Sequence, residues 1–267
     1  MTYDHARTRV LAGQTALVTG ATRANGIGAA VVRRLVASGC DVAFSHWRPY
    51  DAAFPWGATN DDPERLESEA RESGVRTLAI ECDLAEADGA YRLLDAVEQG
   101  IGPVGILINN AAHSTSDGYR ALDATTLDAH YAVNMRATML LAAEFCRRFP
   151  RSGLQNGRVV NMTSGQGLGP MPDELAYGAT KGAIEAFTRS LAPAVMPLGI
   201  TVNAVNPGPT DTGWISDDLR ATLLPMFPSG RLGMPDDAAR LIAWLVGPDA
   251  GWVTGQIISS EGGFVRG

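Results

Sequence analysis

Three features of this sequence predict an α/β fold built on a doubly wound parallel sheet. Short apolar runs rich in β-branched residues alternate with amphipathic segments of helical period along the chain. The runs are apolar on both faces, as strands covered by helices on both sides must be. The 267 residues suit one large α/β unit better than two. No internal repeat or linker divides them, so a single domain over 1–267 is expected.

Each element follows from local chemistry. Residues 16–19 (ALVT) form a buried strand running into a tight turn at Gly20. Residues 27–38 read as a helix, because Ile27, Val31, Leu35 and Val36 share one face and Gly39 ends it. The second strand is 41–45 (DVAFS). Pro63 then marks a first helical turn behind Asp61 and Asp62, in a helix that stops near Gly74. Strands at 76–81, 104–108, 158–162, 200–205 and 256–259 alternate with helices at 88–100, 126–149, 176–195 and 236–246. Right-handed crossovers join such units into one sheet, and ligands bind at the carboxyl ends of its strands. The unusual residue clusters of this chain all lie just after a predicted strand.

Composition excludes several functions. A formal net charge of −7 with scattered Lys and Arg argues against a nucleic-acid partner. Cys40, Cys82 and Cys146 are far apart and read as reduced thiols, neither a disulfide framework nor metal ligands. His46, His113 and His130 do not cluster with acidic residues at metal spacing, so no metal site is expected. The opening MTYDHARTRV is polar, without a signal-peptide hydrophobic region, and the longest apolar runs are far too short to span a membrane. A cytoplasmic protein with no membrane partner is expected.

The stretch from Thr19 to Gly28 (TGATRANGIG) joins the first strand to the first helix. Glycines let a backbone turn sharply and approach a pyrophosphate, while a helix N-terminus offers free N–H groups. A glycine-rich βα turn is also found for purely structural reasons; its place after a first strand favours the dinucleotide reading. An acidic residue at the end of the second strand would favour NAD(H). Here the strand runs into Ser45, His46, Trp47 and Arg48, with no carboxylate until Asp51. Arg23 and Arg48 suit a 2′-phosphate, so NADP(H) is favoured over NAD(H). The plainer alternative makes both arginines solvated surface.

Tyr177 and Lys181 stand at i and i+4 on one helical face. An ammonium near a phenol stabilises the phenolate and lowers its pKa. That spacing alone occurs on many helices by chance. Ser164 lies thirteen residues earlier on a loop after a strand, where its hydroxyl can polarise a carbonyl. Asn134, in YAVNM, is a polar side chain on a core-directed stretch that needs a reason.

Taken together, these motifs resemble the short-chain dehydrogenase/reductase family, in the branch of the 3-oxoacyl-[acyl-carrier-protein] reductases. The likeness runs from about Gln14 to Phe264. Besides the glycine-rich loop it includes Asp83-Leu84, Asn109 to Ala112 (NNAA), Asn134, Ser164, Tyr177 with Lys181, Asn206 to Gly208 (NPG), and Gly255-Gln256. It implies a Rossmann-like fold and an enzyme acting on CH–OH groups with NAD(P)+ as acceptor. Asn134, Ser164, Tyr177 and Lys181 would be its catalytic residues: Tyr177 the acid, Ser164 orienting the carbonyl, Lys181 on the nicotinamide ribose, and Asn134 holding a relay water. Gly20, Arg23, Gly26, Ile27, Gly28 and Arg48 would bind the cofactor's phosphates. Asp83 and Leu84 would flank adenine, Asn110 the adjacent ribose, and Thr212 the carboxamide, with Ala111, Pro207, Gly208 and Thr210 completing the cofactor contacts. The activity implied is reduction of a 3-oxoacyl thioester or similar carbonyl, the alternatives being a secondary-alcohol, polyol or steroid-like dehydrogenase and a catalytically silent NADP-binding regulator. Substrate would be a small carbonyl or alcohol, under a lid at about 208–234 rich in Trp214, Ile215, Leu219, Leu223, Leu224, Met226 and Phe227, a segment that simple packing of a short helix on the core would also explain. A homotetramer (or homodimer) is implied, through the two long helices and the C-terminal strand region.

Three features depart from the family pattern. Five residues, Ala21 to Asn25, separate the first two loop glycines where three are usual. That length resembles enoyl-carrier-protein reductases, but those place six residues between Tyr and Lys rather than three, and the corresponding tyrosine position is Glu174. The connection at 48–62 (RPYDAAFPWGATNDD) is unusually long and aromatic; it covers the cofactor, serves a subunit contact, or is plain surface. Pro193 and Pro197 should kink or end the 176–195 helix.

Overall fold

The computed structural model describes residues 9–55, 57, 59 and 61–266; the first eight residues of the polar opening, Trp56 of the long connection and Gly267 lie outside them. Its strands are β1 (Thr15–Val18), β2 (Asp41–His46), β3 (Thr77–Glu81), β4 (Ile106–Asn109), β5 (Gly157–Met162), β6 (Ile200–Asn206) and β7 (Ile257–Ser259). Every pairing is parallel, in the order β3-β2-β1-β4-β5-β6-β7. The helices are α1 (Ile27–Ala37), α2 (Arg48–Asp51), α3 (Asp62–Glu72), α4 (Gly89–Gly100), α5 (Gly118–Ala121), α6 (Ala124–His130), α7 (Thr138–Arg148), α8 (Leu175–Val195), α9 (Asp217–Leu223) and α10 (Pro235–Leu245). The sheet is Rossmann-like, with its strand order reversing between β1 and β4, and the crevice above that junction is where a ligand belongs.

The two-period of each strand sends alternate side chains into two cores. Ala16, Val18, Val42, Phe44, Ile106 and Ile108 pack against Val31, Leu35, Ile242 and Leu245 of α1 and α10. Leu17, Ala43, Leu107 and Val159 pack on the other face against Leu93, Leu94, Leu141 and Phe145 of α4 and α7. At about 1.5–3 kcal/mol per fully buried large apolar side chain, these two layers hold the sheet in place under the crevice. No helix among the described residues is long and apolar enough to cross a membrane.

Three expectations change. The helix predicted at 126–149 is α6 and α7 joined by a π-helical stretch, Tyr131–Ala137. One extra residue per turn there alters which side chains face inward, and Asn134 sits in that stretch. Pro193 does not end α8, which continues to Val195 before a 3₁₀ turn holding Pro197. The connection after β2 is not all loop, since α2 and the start of α3 lie within it; likewise α9 forms inside the loop-like 208–234 stretch.

Candidate active site

The glycine-rich loop is built first against the protein itself. A Cβ on Gly20 would stand 2.6 Å from the Ala111 Cα, and one on Gly28 would stand 2.6 Å from the Gly20 carbonyl oxygen and 2.8 Å from the Asn110 amide. Backbone therefore approaches backbone here, and only hydrogen fits. Asn110 locks that approach by donating its side-chain amide to the Thr19 and Gly20 carbonyls, both at 2.9 Å. The Thr19 hydroxyl accepts the main-chain N–H of Asn110 and Ala111 at 3.0 Å. Asn110 and Ala111 thus brace the turn, a role the ribose assignment does not contain. Gly26 caps α1 without a side-chain hydrogen bond, and the first turn, with Ile27 and Gly28, holds no acidic residue. A helix terminus so arranged offers its N–H groups to an anion.

The second group lies above β4 and β5. Asn134, 1% exposed, accepts the His113 N–H at 2.7 Å and donates to the His113 carbonyl at 2.9 Å and the Thr180 hydroxyl at 3.0 Å. It pairs like a strand residue with the turn after β4 and ties it to α8. Lys181, 3% exposed, donates from Nζ to the Met162 carbonyl at 2.9 Å and stands 5.3 Å from the centre of the Tyr177 ring. Burial pushes its ammonium down to about 8. Ser164 follows β5, hydrogen-bonded with the Tyr177 hydroxyl and 3.9 Å from the Met171 sulfur. Glu185 accepts from Gln166 at 2.7 Å and Thr163 at 3.1 Å, bracing that loop on α8.

The electrostatics correct one expectation. Lys181 was expected to depress the Tyr177 phenol, but burial, then the Glu174 carboxylate, push it above its ordinary value, with only the Ser164 hydrogen bond opposing. The ammonium is directed to the Met162 carbonyl, and desolvation is the largest influence on the phenol.

The third group follows β6. Asn206 accepts the Gly208 N–H at 3.0 Å and donates to Glu261 at 2.7 Å, fixing the Pro207 turn. The Thr210 hydroxyl donates to the Gly208 carbonyl at 3.1 Å. Beyond it Ile215, Phe227 and Leu232 bury one another with Leu219, Leu223 and Phe264 against them, while Trp214 and Leu224 stay exposed. Part of the apolar content at 208–234 is therefore spent on its own packing.

At the far end of the crevice the two arginines take different partners. Arg23 pairs with Asp51 at 3.2 Å and donates to the Thr212 carbonyl at 3.2 Å. Arg48 pairs with Glu64 and, at 3.8 Å, Glu81. Leu84 is buried, and Asp83 accepts the Ala85 N–H at 2.8 Å.

Several residues here escaped the sequence. Asp117 accepts three main-chain N–H groups, from Gly118, Leu175 and Ala176 at 2.6–2.8 Å. Burial alone would raise its carboxyl, but these donors hold it below the usual carboxylate range. It serves as a remote cap for α8, and nothing in the sequence links 117 to 175. Tyr50 reaches the other way: its hydroxyl accepts the Ser114 N–H at 2.9 Å, and its ring meets His113 at 5.3 Å. Asn161, in RVVNM, accepts from Asn109 at 2.9 Å and donates to Thr188 at 3.0 Å. A lone Asn in an apolar strand was the signal that could have found it.

Known proteins share this architecture. The profile of the family described as enoyl-(acyl carrier protein) reductase matches residues 20–265. The chain is 54% identical to the uncharacterized oxidoreductase YjdA of Bacillus subtilis, over 94% of this chain and 97% of that one. The short-chain dehydrogenase/reductase of Serratia marcescens superposes with a TM-score of 0.85 at 32% identity, covering 96% of this chain and 99% of that one. A blue fluorescent protein from a metagenomic library, solved with NADPH, superposes with a TM-score of 0.82 at 31% identity over 96% and 99%.

Proposed function

The chain belongs to the short-chain dehydrogenase/reductase family, and we propose that it reduces a 3-oxoacyl thioester or similar ketone with NADPH, Tyr177 giving the proton. As an oxidoreductase of that family it acts on a carbonyl and alcohol pair. The observation that carries the proposal is the convergence of Ser164, Tyr177 and Lys181 beside Asn134 above β4 and β5.

The residues present fit a dinucleotide: the α1 terminus has no side-chain cap and Arg23 lies on the loop before it. The nicotinamide, when bound, supplies or accepts a hydride at its ring C4. Ser164 donates its hydroxyl to the substrate oxygen and polarises it as charge develops. Burial keeps the Tyr177 phenol protonated, so it serves as an acid towards that oxygen once it becomes basic. Lys181 spends one proton on the Met162 carbonyl, which leaves two donors for ribose hydroxyls. Asn134 positions the turn at His113 and keeps a lone pair on Oδ1 for a relay water.

NADP(H) is favoured over NAD(H) because Arg23 and Arg48 can meet a 2′-phosphate, and the NADPH-bound neighbour supports that choice. The matching family description names enoyl reduction; this chain's Tyr177 and Lys181, with Glu174 in the alternative tyrosine position, favour carbonyl reduction instead. Residues 208–234 close over the substrate as a lid on a single domain, and exposed Trp214 and Leu224 suit an acyl chain. Leu127 and Tyr131, exposed on the α6 side, suit a helix-mediated homotetramer in the cytoplasm.

The test follows NADPH and NADH absorbance with ketones and β-ketoacyl thioesters, wild type beside Tyr177→Phe. NADPH-linked turnover that the variant abolishes is expected; failure of every β-ketoacyl thioester removes the acyl assignment. Light scattering after size exclusion checks the assembly, and a monomer rejects it.

A further inference from the structure

We propose that Asp51 sets the cofactor selectivity of this protein by competing with a 2′-phosphate for the Arg23 guanidinium. The inference rests on the reading that Arg23 receives that phosphate, and the test separates the two.

Arg23 lies in the lengthened part of the glycine-rich loop, and Asp51 ends α2 in the long connection after β2. The two departures from the family pattern therefore meet in one ion pair, with the Arg23 Nε 3.2 Å from Asp51 Oδ1 and side-chain exposures of 23% and 13%. Asp51 does not drift into this contact. Its neighbour Tyr50 accepts the Ser114 N–H at 2.9 Å and donates to the Ser114 carbonyl at 3.3 Å, packs on Phe54 at 5.1 Å and meets the His113 ring at 5.3 Å. The Trp47 N–H donates to the Thr22 hydroxyl at 3.2 Å, and the Ala24 N–H donates to buried Asp62 at 3.0 Å. The connection is thus pinned to the loop after β1 on one side and the turn after β4 on the other, so its carboxylate is held beside Arg23 whichever cofactor arrives.

That placement has a chemical consequence. A guanidinium offers five N–H donors in a fixed fork. Arg23 already directs Nη1 to the Thr212 carbonyl at 3.2 Å and Nη2 to its hydroxyl at 3.4 Å, with Asp51 on Nε. A 2′-phosphate seeking the fork meets a fixed negative charge in a partly desolvated place, where repulsion is weakly screened. A ribose 2′-hydroxyl meets no such penalty and can donate to the carboxylate. Asp51 therefore lowers NADPH affinity relative to NADH without touching the reacting atoms. The protein is a less selective NADP(H) binder than its arginines alone would make it.

The experiment is a fluorescence titration of the full-length protein with NADPH and with NADH, in the absence of substrate. The variants are Asp51→Asn, which keeps the shape, Asp51→Ser as a second removal of charge, and Arg23→Gln. Displacement by 2′,5′-ADP against 5′-ADP repeats the comparison without a nicotinamide. Removing the carboxylate is expected to tighten NADPH about tenfold, the equivalent of ~1.4 kcal/mol, with NADH changed much less and the same ordering for the two ADP probes. Equal changes for both cofactors, no change, or weaker NADH with unaltered NADPH would each overturn the competition. If Arg23→Gln leaves the NADPH to NADH ratio of the wild type unaltered, the underlying reading of Arg23 fails instead. If that ratio collapses in Arg23→Gln while both Asp51 variants match wild type, only the role of Asp51 is lost.

Discussion

The two ends of the crevice are built by opposite means. Above β4 and β5, Asn134, Thr180 and Lys181 are buried and joined by hydrogen bonds whose partners are main-chain groups or neutral side chains. Above β1 and β2, Arg23, Arg48, Asp51, Glu64 and Glu81 make ion pairs that are only partly buried. A buried group left without its partner costs the full desolvation penalty, so the first end has one workable geometry. Partly buried ion pairs each contribute little to stability, so a single charge at the second end can be changed without unfolding the site. On the proposed function, reaction chemistry falls to the buried end and cofactor choice to the charged one.

Four measurements test that contrast. The largest effect is expected from Tyr177→Phe: turnover should fall by about 10³, within the range for loss of a general acid, while NADPH affinity stays within about threefold. A parallel loss of binding would mean the rigid end also anchors the cofactor. Next, Lys181 has its native pKa near 8 against an ordinary 10.5. Between those values Lys181 binds more protons in the unfolded chain than in the native one, so this group adds a rise in stability with pH from about 8 to 10.5, by roughly 3 kcal/mol at most, against the fall contributed by the buried Cys40 and Cys146 thiols, which burial pushes up. Lys181→Met should lack that rise in chemical denaturation followed across this window; identical pH profiles would show that the amine keeps its charge at no cost.

Asn134→Ala strands the His113 main chain and should destabilise by about 1–3 kcal/mol, read as a lowered midpoint in urea. A neutral result would remove the contrast in rigidity. The smallest effect is expected outside the crevice, where the Arg34 pair with Asp236, 39% and 44% exposed, represents the surface charges: Arg34→Ala should change stability by less than about 1 kcal/mol. A larger loss would mean that surface ion pairs matter as much as the buried network.

The same contrast explains how legible each part was. Strand and helix alternation, the Tyr177 and Lys181 spacing and the glycine loop are local patterns, and the structure places them within a few residues of where they were read. Asn134 is conspicuous in the sequence as a polar residue on a core-directed stretch, whereas its π-helical setting depends on the neighbours it packs against. In the sequence Tyr50 is only part of a long connection, and Asp51 only the first carboxylate after the second strand. Tyr50 lies 64 residues from Ser114 and Asp51 lies 28 from Arg23, and no period or spacing joins such pairs. Glycines were read as room for pyrophosphate; Gly20 and Gly28 also make room for Ala111 and Asn110.

By itself the sequence determined the parallel sheet, the order of its elements, the family, and the residue types available to the chemistry. Those follow from burial and backbone preference acting over a few residues, where the pattern is the cause. The tertiary structure alone decided which charges neutralise one another, that burial lifts the Tyr177 phenol and lowers the Lys181 ammonium, and that Asp51 faces Arg23. Those outcomes depend on distance and desolvation between segments far apart in the chain, and neither quantity exists until the sheet brings their ends together.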